Sequence, residues 1–198
     1  MGMPINKNSV RVLGYLAMTL FLVVGIAGQA SAATHTLSGN ATWGASGNGM
    51  AGSITAGDDV VIGGTATFTV TSAADVGAIG DVTAAGAGVV VVNLASAADH
   101  TRTIGSIDIA GAGNVTFGVD DQSNNDLAVT ITGVLETEGN LIMSHVEPDG
   151  LSTSLVTVGG AIDIGGTTTI TGGNHASAST TGLVANGNAT FDGLVTVT

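Results

Sequence analysis

The chain has 198 residues, among them 32 glycines and no cysteine, and a formal net charge of −12. That length allows one elongated domain with a continuous core. The glycines argue against long helices, at roughly 1 kcal/mol each against alanine, and the lack of cysteine excludes disulfides and cysteine-based metal centres.

In chain order, residues 1–32 come first and stand apart. Lys7 and Arg11 make a positive start, Val12 to Ile26 is apolar apart from small residues, Tyr15 and Thr19, and Ala30-Ser31-Ala32 has the small-residue pattern of a cleavage site. The apolar run is shorter than the roughly 20 residues of a spanning helix. A signal peptide cleaved after Ala32 is therefore expected, with an uncleaved membrane anchor as the alternative. All fifteen acids lie beyond Ala32 and only Arg102 remains as a Lys or Arg, leaving the mature part at −14. Such a surface repels phosphates, so no nucleic-acid partner is expected.

From residue 33 onward, Val, Ile, Thr, Ala and Asn dominate, which suits short strands between turns and is too apolar for a disordered chain. A string recurs at Gly39-Asn-Ala-Thr-Trp43, Gly64-Thr-Ala-Thr-Phe68, Gly113-Asn-Val-Thr-Phe117 and Gly187-Asn-Ala-Thr-Phe191. Gly88 to Val92, Gly139 to Met143 and Gly166 to Ile170 fill the gaps, so that the glycines step by 25, 24, 25, 26, 27 and 21 residues. Alternation places Ala41, Trp43, Ala66, Phe68, Val90, Val92, Val115, Phe117, Leu141, Met143, Thr168, Ile170, Ala189 and Phe191 on one buried face. Second elements such as Ile79-Gly80-Asp81-Val82, Ile104-Gly105-Ser106-Ile107 and Thr132-Gly133-Val134-Leu135 lead into several strings.

A repeat with so small an apolar face buries it only by stacking on its neighbours. The expected fold is all-β: a right-handed parallel β-solenoid (β-helix) of about seven rungs over residues 33–198, following the signal segment. Trp43, Phe68, Phe117 and Phe191 are then expected in one interior column. The alternative is an antiparallel β-sandwich, which uses strands and turns of similar length.

These residues carry a resemblance. Trp43 followed by Ala56-Gly57-Asp58-Asp59-Val60-Val61-Ile62-Gly63-Gly64, and the later run from Ile104 to Phe117, are similar to passenger regions of bacterial autotransporters and related β-helical surface proteins, including rickettsial-type outer-membrane antigens. The resemblance covers most of residues 36–198. It implies a β-helix and roles in adhesion, surface coating or assembly, with self-association or a host or cell-surface ligand as partner. Membrane attachment would run through the signal segment or a C-terminal translocator barrel. Nothing in the sequence matches such a barrel, and Val197-Thr198 stops within a rung. A fragment of a longer product, or a last rung that pairs with another molecule, is expected.

Candidate sites are few. No catalytic residue, cofactor or firm metal site is expected. Asp120, Asp121 and Asp126, with Ser123, Asn124 and Asn125, form the richest oxygen cluster and a candidate calcium turn, against a solvated turn. Asp58-Asp59 is the other adjacent acid pair. His35, His100, His145 and His175 lack metal-binding spacing. Asn40, Asn114 and Asn188 fit glycosylation sequons but read more simply as one asparagine column. Val89, Val91 and Ile142 break a polar outer face, pointing to a lateral contact, a covering loop or a register slip. The expected function is a non-catalytic surface or extracellular structural protein. The rival is a secreted parallel β-helix enzyme on glycans, with Asp81, Asp108 and Asp163 as its carboxylates and close acids facing one groove as its signature.

Overall fold

The computed structural model describes residues 32–43, 54–71, 78–94, 100–120, 126–146, 153–172 and 180–198. The expected signal segment, apart from Ala32, lies outside the described residues. The first coil holds β1 (Thr34–Leu37) and β2 (Ala41–Trp43), and the second β3 (Asp59–Ile62), β4 (Thr67–Thr71) and β5 (Ala78–Ile79). The third holds β6 (Val82–Ala84), β7 (Val89–Leu94) and β8 (His100–Ile104), and the fourth β9 (Ile107–Ile109), β10 (Val115–Asp120) and β11 (Leu127–Ile131). The fifth holds β12 (Leu135–Thr137), β13 (Leu141–Val146) and β14 (Thr153–Val158), and the sixth β15 (Ile162–Ile164), β16 (Thr168–Thr171) and β17 (Thr180–Ala185). The seventh holds β18 (Ala189–Phe191) and β19 (Val195–Val197).

The first strand of every coil joins sheet A, the second sheet B and the third sheet C, giving sheets of seven, seven and five strands. Every pairing is parallel. Parallel strands cannot be joined by tight hairpins, so each coil returns to its sheet only after a full circuit. The fold is the expected parallel β-solenoid, and the antiparallel sandwich is excluded.

Alternation along each strand sends every second side chain inward. Val60, Phe68, Val82, Val90, Ile104, Ile107, Val115, Phe117, Ile131, Leu135 and Leu141 have no measurable exposure. Burying each of the larger ones contributes roughly 1.5–3 kcal/mol. Threonine, asparagine and acids hold most of the outward positions, with Val61, Val89, Val91, Ile142 and Leu155 among them.

The ring column differs from expectation. Trp43 pairs in register with Val70, Val70 with Val92, and Val92 with Phe117. Phe68 lies in the adjacent column, between Ala41 and Val90. The corner between sheets A and B explains the slip. Leu37 to Ala41 spans four residues, whereas Ile62 to Phe68, Ala84 to Val90 and Ile109 to Val115 each span six. Gly64, with φ 61°, turns the chain at the first of these longer corners. An insertion of two residues keeps every side chain on its face while moving it one column along. Phe191 is a larger departure: it pairs with Ile164 in sheet A. The string from Gly187 to Phe191 follows the corner from sheet C to sheet A, which explains its short step of 21. Asn188 accordingly leaves the asparagine column, whereas Asn114 and Asn140 share one, the Asn114 Oδ1 accepting from Asn140 N and Nδ2 at 3.1 Å.

The corner into sheet A is a glycine stack. At Gly160 an added Cβ would come within 2.7 Å of the Gly133 carbonyl oxygen, and Gly160 N donates to that same oxygen at 2.8 Å. Backbone of one coil sits where a side chain of the next would stand, so the glycine spacing serves close approach rather than flexibility.

Candidate functional site

The outer face of sheet A gathers acids that are far apart in sequence. Asp108 pairs in register with Glu136, and Glu136 with Asp163, so the three form a ladder across successive coils. All three are exposed. Parallel neighbours stand about 4.8 Å apart, and like charges at that spacing oppose the stacking by a few tenths of a kcal/mol to about 1 kcal/mol. Asp108 and Asp163, in the matching strings Ile107-Asp108-Ile109 and Ile162-Asp163-Ile164, therefore occupy equivalent positions, with Glu136 between them. Asp81 lies off the ladder, at the corner before β6, where its amide donates to Asp59 Oδ1 at 2.9 Å.

Beside the ladder, Glu136, Glu138, Asp163 and Asp192 line a concavity of about 70 Å3 with Ile109, Ala110, Thr137 and Gly165. Glu138 leans over Gly165, where an added Cβ would lie 2.8 Å from Oε2. Thr137 faces inward beneath it, its hydroxyl donating to Gly113 O at 2.6 Å and accepting from Gly139 N at 3.0 Å. Several carboxylates thus face one concavity, and of Asp81, Asp108 and Asp163 only Asp163 lines it. It is small against the roughly 300–1,000 Å3 of ordinary ligand sites, and its acids stand in water rather than behind apolar walls.

The adjacent acids Asp58 and Asp59 do not act together. Asp58 is 4% exposed. It accepts from Thr55 N at 2.8 Å, Thr55 Oγ1 at 2.9 Å, His35 Nε2 at 3.0 Å and Ala33 N at 2.9 Å. The Thr55 amide first, then His35, the Ala33 amide and the Thr55 hydroxyl, hold its carboxyl well below the usual range, against the opposing pull of burial. Asp59 turns instead to Asp81 N.

Of the candidate calcium turn, Ser123, Asn124 and Asn125 lie outside the described residues. Asp120 ends β10, Asp121 lies outside the described residues, and Asp126 precedes β11 with Oδ1 accepting from Thr153 N at 2.6 Å. Among the described residues no group of three or more His, Cys, Asp or Glu side chains is arranged to hold a metal ion.

Val89, Val91 and Ile142 are half-buried on the outer face of sheet B. Val91 and Ile142 share a column, separated by Thr116. Register is continuous on both sides and the inward neighbours Val90, Val92, Leu141 and Met143 are buried, so a register slip is excluded. A lateral contact and a covering loop remain as readings of this face.

Arg102 is the one Lys or Arg beyond Ala32. It points inward from β8 and is 7% exposed. Nη1 donates to Thr101 O at 2.8 Å and Nη2 to Thr71 O at 3.2 Å, with His100 Nδ1 at 3.4 Å. Burial lowers its pKa. The signal was in the alternation: Arg102 has the parity of Ile104. His145 lies in β13, and His175 lies outside the described residues.

No family model matches the chain, and no curated protein or solved structure does either.

Proposed function

We propose that the exported chain is a non-catalytic extracellular or cell-surface structural and adhesive rod, serving as adhesin passenger segment, surface-layer component or filament unit. One observation carries this reading. Thr42, Thr69, Val91, Thr116, Ile142, Thr169 and Thr196 form a single outer column through all seven coils of sheet B. A long, regular and mostly polar face suits many shallow contacts with a cell-surface ligand or a second copy better than one deep site. At about 4.8 Å per coil the rod is roughly 30 Å long. The export segment and the acidic mature surface agree with an extracellular setting.

The acidic concavity favours a second reading, a secreted β-helix enzyme acting on glycans. One assay separates the two. The exported protein is incubated with neutral and acidic polysaccharides, reducing ends are measured, and binding to the same glycans and to intact cells is followed in parallel. Binding without release of reducing ends is expected. Release that disappears in Asp163→Asn would overturn the structural reading in favour of the enzyme.

A further inference from the structure

Asp58 divides its two oxygens between different parts of the chain. Oδ2 serves the turn before β3, accepting from Thr55 N and Oγ1, and meets His35 Nε2. Oδ1 reaches back 25 residues to the backbone nitrogen of Ala33 at 2.9 Å. The Ala33 carbonyl in turn accepts from Asp59 N at 2.8 Å. Ala33 is thus held by both its nitrogen and its oxygen, and it is the residue that follows Ala30-Ser31-Ala32.

We propose that Asp58 is the receptor for the chain's own α-ammonium group, created when an export peptidase hydrolyses the Ala32–Ala33 bond. The proposal rests on the export reading above. Water adds across the amide, its oxygen stays on the Ala32 carboxylate, and the freed Ala33 nitrogen takes up protons to become an ammonium. No oxidant or reductant is involved. A neutral N–H donor on Asp58 Oδ1 becomes a charged one, and charge-assisted hydrogen bonds are about twice as strong as neutral ones.

The neighbourhood suits a cation. Asp58 faces the nitrogen directly, Asp59 begins the strand paired with β1, and Asp81 stands one coil further on, while His35 is the other titratable group on β1. Removal of the leader therefore tightens the closure of the first coil onto the second.

The sign follows from linkage. A carboxylate partner raises the amine above its unfolded value of about 7.7–8.0, so this stabilisation is complete below that value and is lost as pH rises through the folded one. Asp58 itself is held low, so its contribution is present above the ordinary carboxylate range and is lost as pH falls below it.

Residues 33–198 contain no lysine, so the α-amine is the only primary amine within them. The full chain is exported from a secreting host, the N-terminus of the product is read by intact mass, and half of the product is acetylated. The expected product begins at Ala33, and acetylation lowers its folding equilibrium constant about tenfold at pH 6. The gap closes by about pH 10, and Asp58→Asn removes it. If that variant fails to fold, the closing of the gap with pH provides the same discrimination. An N-terminus elsewhere overturns the proposal while leaving export intact, as does a product beginning at Ala33 that is indifferent to acetylation. An unprocessed chain retained in the cell overturns the export reading, and the proposal with it.

Discussion

Sheets B and C face the same core with the same alternation, yet their inner walls differ in chemistry. Sheet B lines the core with Trp43, Phe68, Val70, Val90, Val92, Val115, Phe117, Leu141 and Met143, and Thr168 is the one buried polar side chain that the described residues of this wall show. Sheet C places Arg102 and Ser154 among Ile104, Leu127, Val129, Ile131, Val156 and Val158. The difference shows that position along the strand, rather than residue type, decides what is buried. Arg102 is tolerated because it lies at a seam lined by Val70, Thr71, Val92, Asn93, His100 and Leu127, where strand-end carbonyls are within reach. A polar head in the middle of the sheet B wall would find paired backbone only.

Substitutions sharpen this contrast. The largest effect is expected in the uniform wall: Phe117→Ala leaves a ring-sized void between Val92 and Met143, lowering stability by about 3–5 kcal/mol in chemical denaturation. In the mixed wall, Arg102→Met keeps the stem and removes the buried charge, so the change stays within about 1.5 kcal/mol of zero. A loss as large as that of Phe117→Ala would mean that the guanidinium organises the seam. Thr168 is 1% exposed and its hydroxyl has no hydrogen-bond partner. Thr168→Val should therefore raise stability by about 1 kcal/mol. On the outer face, Val91→Asp should lower folding stability by about 1 kcal/mol, because Val91 is half-buried in a strand paired on both sides and aspartate suits such a strand poorly. If sheet B docks laterally on a second copy, the same change weakens self-association in sedimentation; unchanged association rules out a contact there.

The repeat, the coil count and the inward face were legible in the sequence because glycine corners and period-2 alternation are local signals. Column identity was not. The two-residue insertions at the corners after Ile62, Ala84 and Ile109 preserve parity, so Phe68 is correctly buried yet stands one column from Trp43. Phe191 departs from the expected column because glycine corners into sheets A and B are followed by the same inward spacing, and only the short step of 21 residues marks the difference. The acid ladder was half visible: Asp108 and Asp163 sit in matching strings, but Glu136 lies in Leu135-Glu136-Thr137, which shares no letters with them. The Asp58 cluster was hidden, since no local rule joins Ala33 and His35 to a turn more than twenty residues on.

Stacking in continuous parallel register is the claim on which the rest depends, and the lack of native cysteine makes it directly measurable. Spin labels on Thr42→Cys paired with Ile142→Cys, and on Thr42→Cys paired with Thr196→Cys, span four and six coil steps along one outer column. Dipolar spectroscopy should give separations of about 19 Å and 29 Å, rising in proportion to the steps at about 4.8 Å each. Separations that fail to grow with coil number, or a longer distance for the first pair than for the second, would contradict the account.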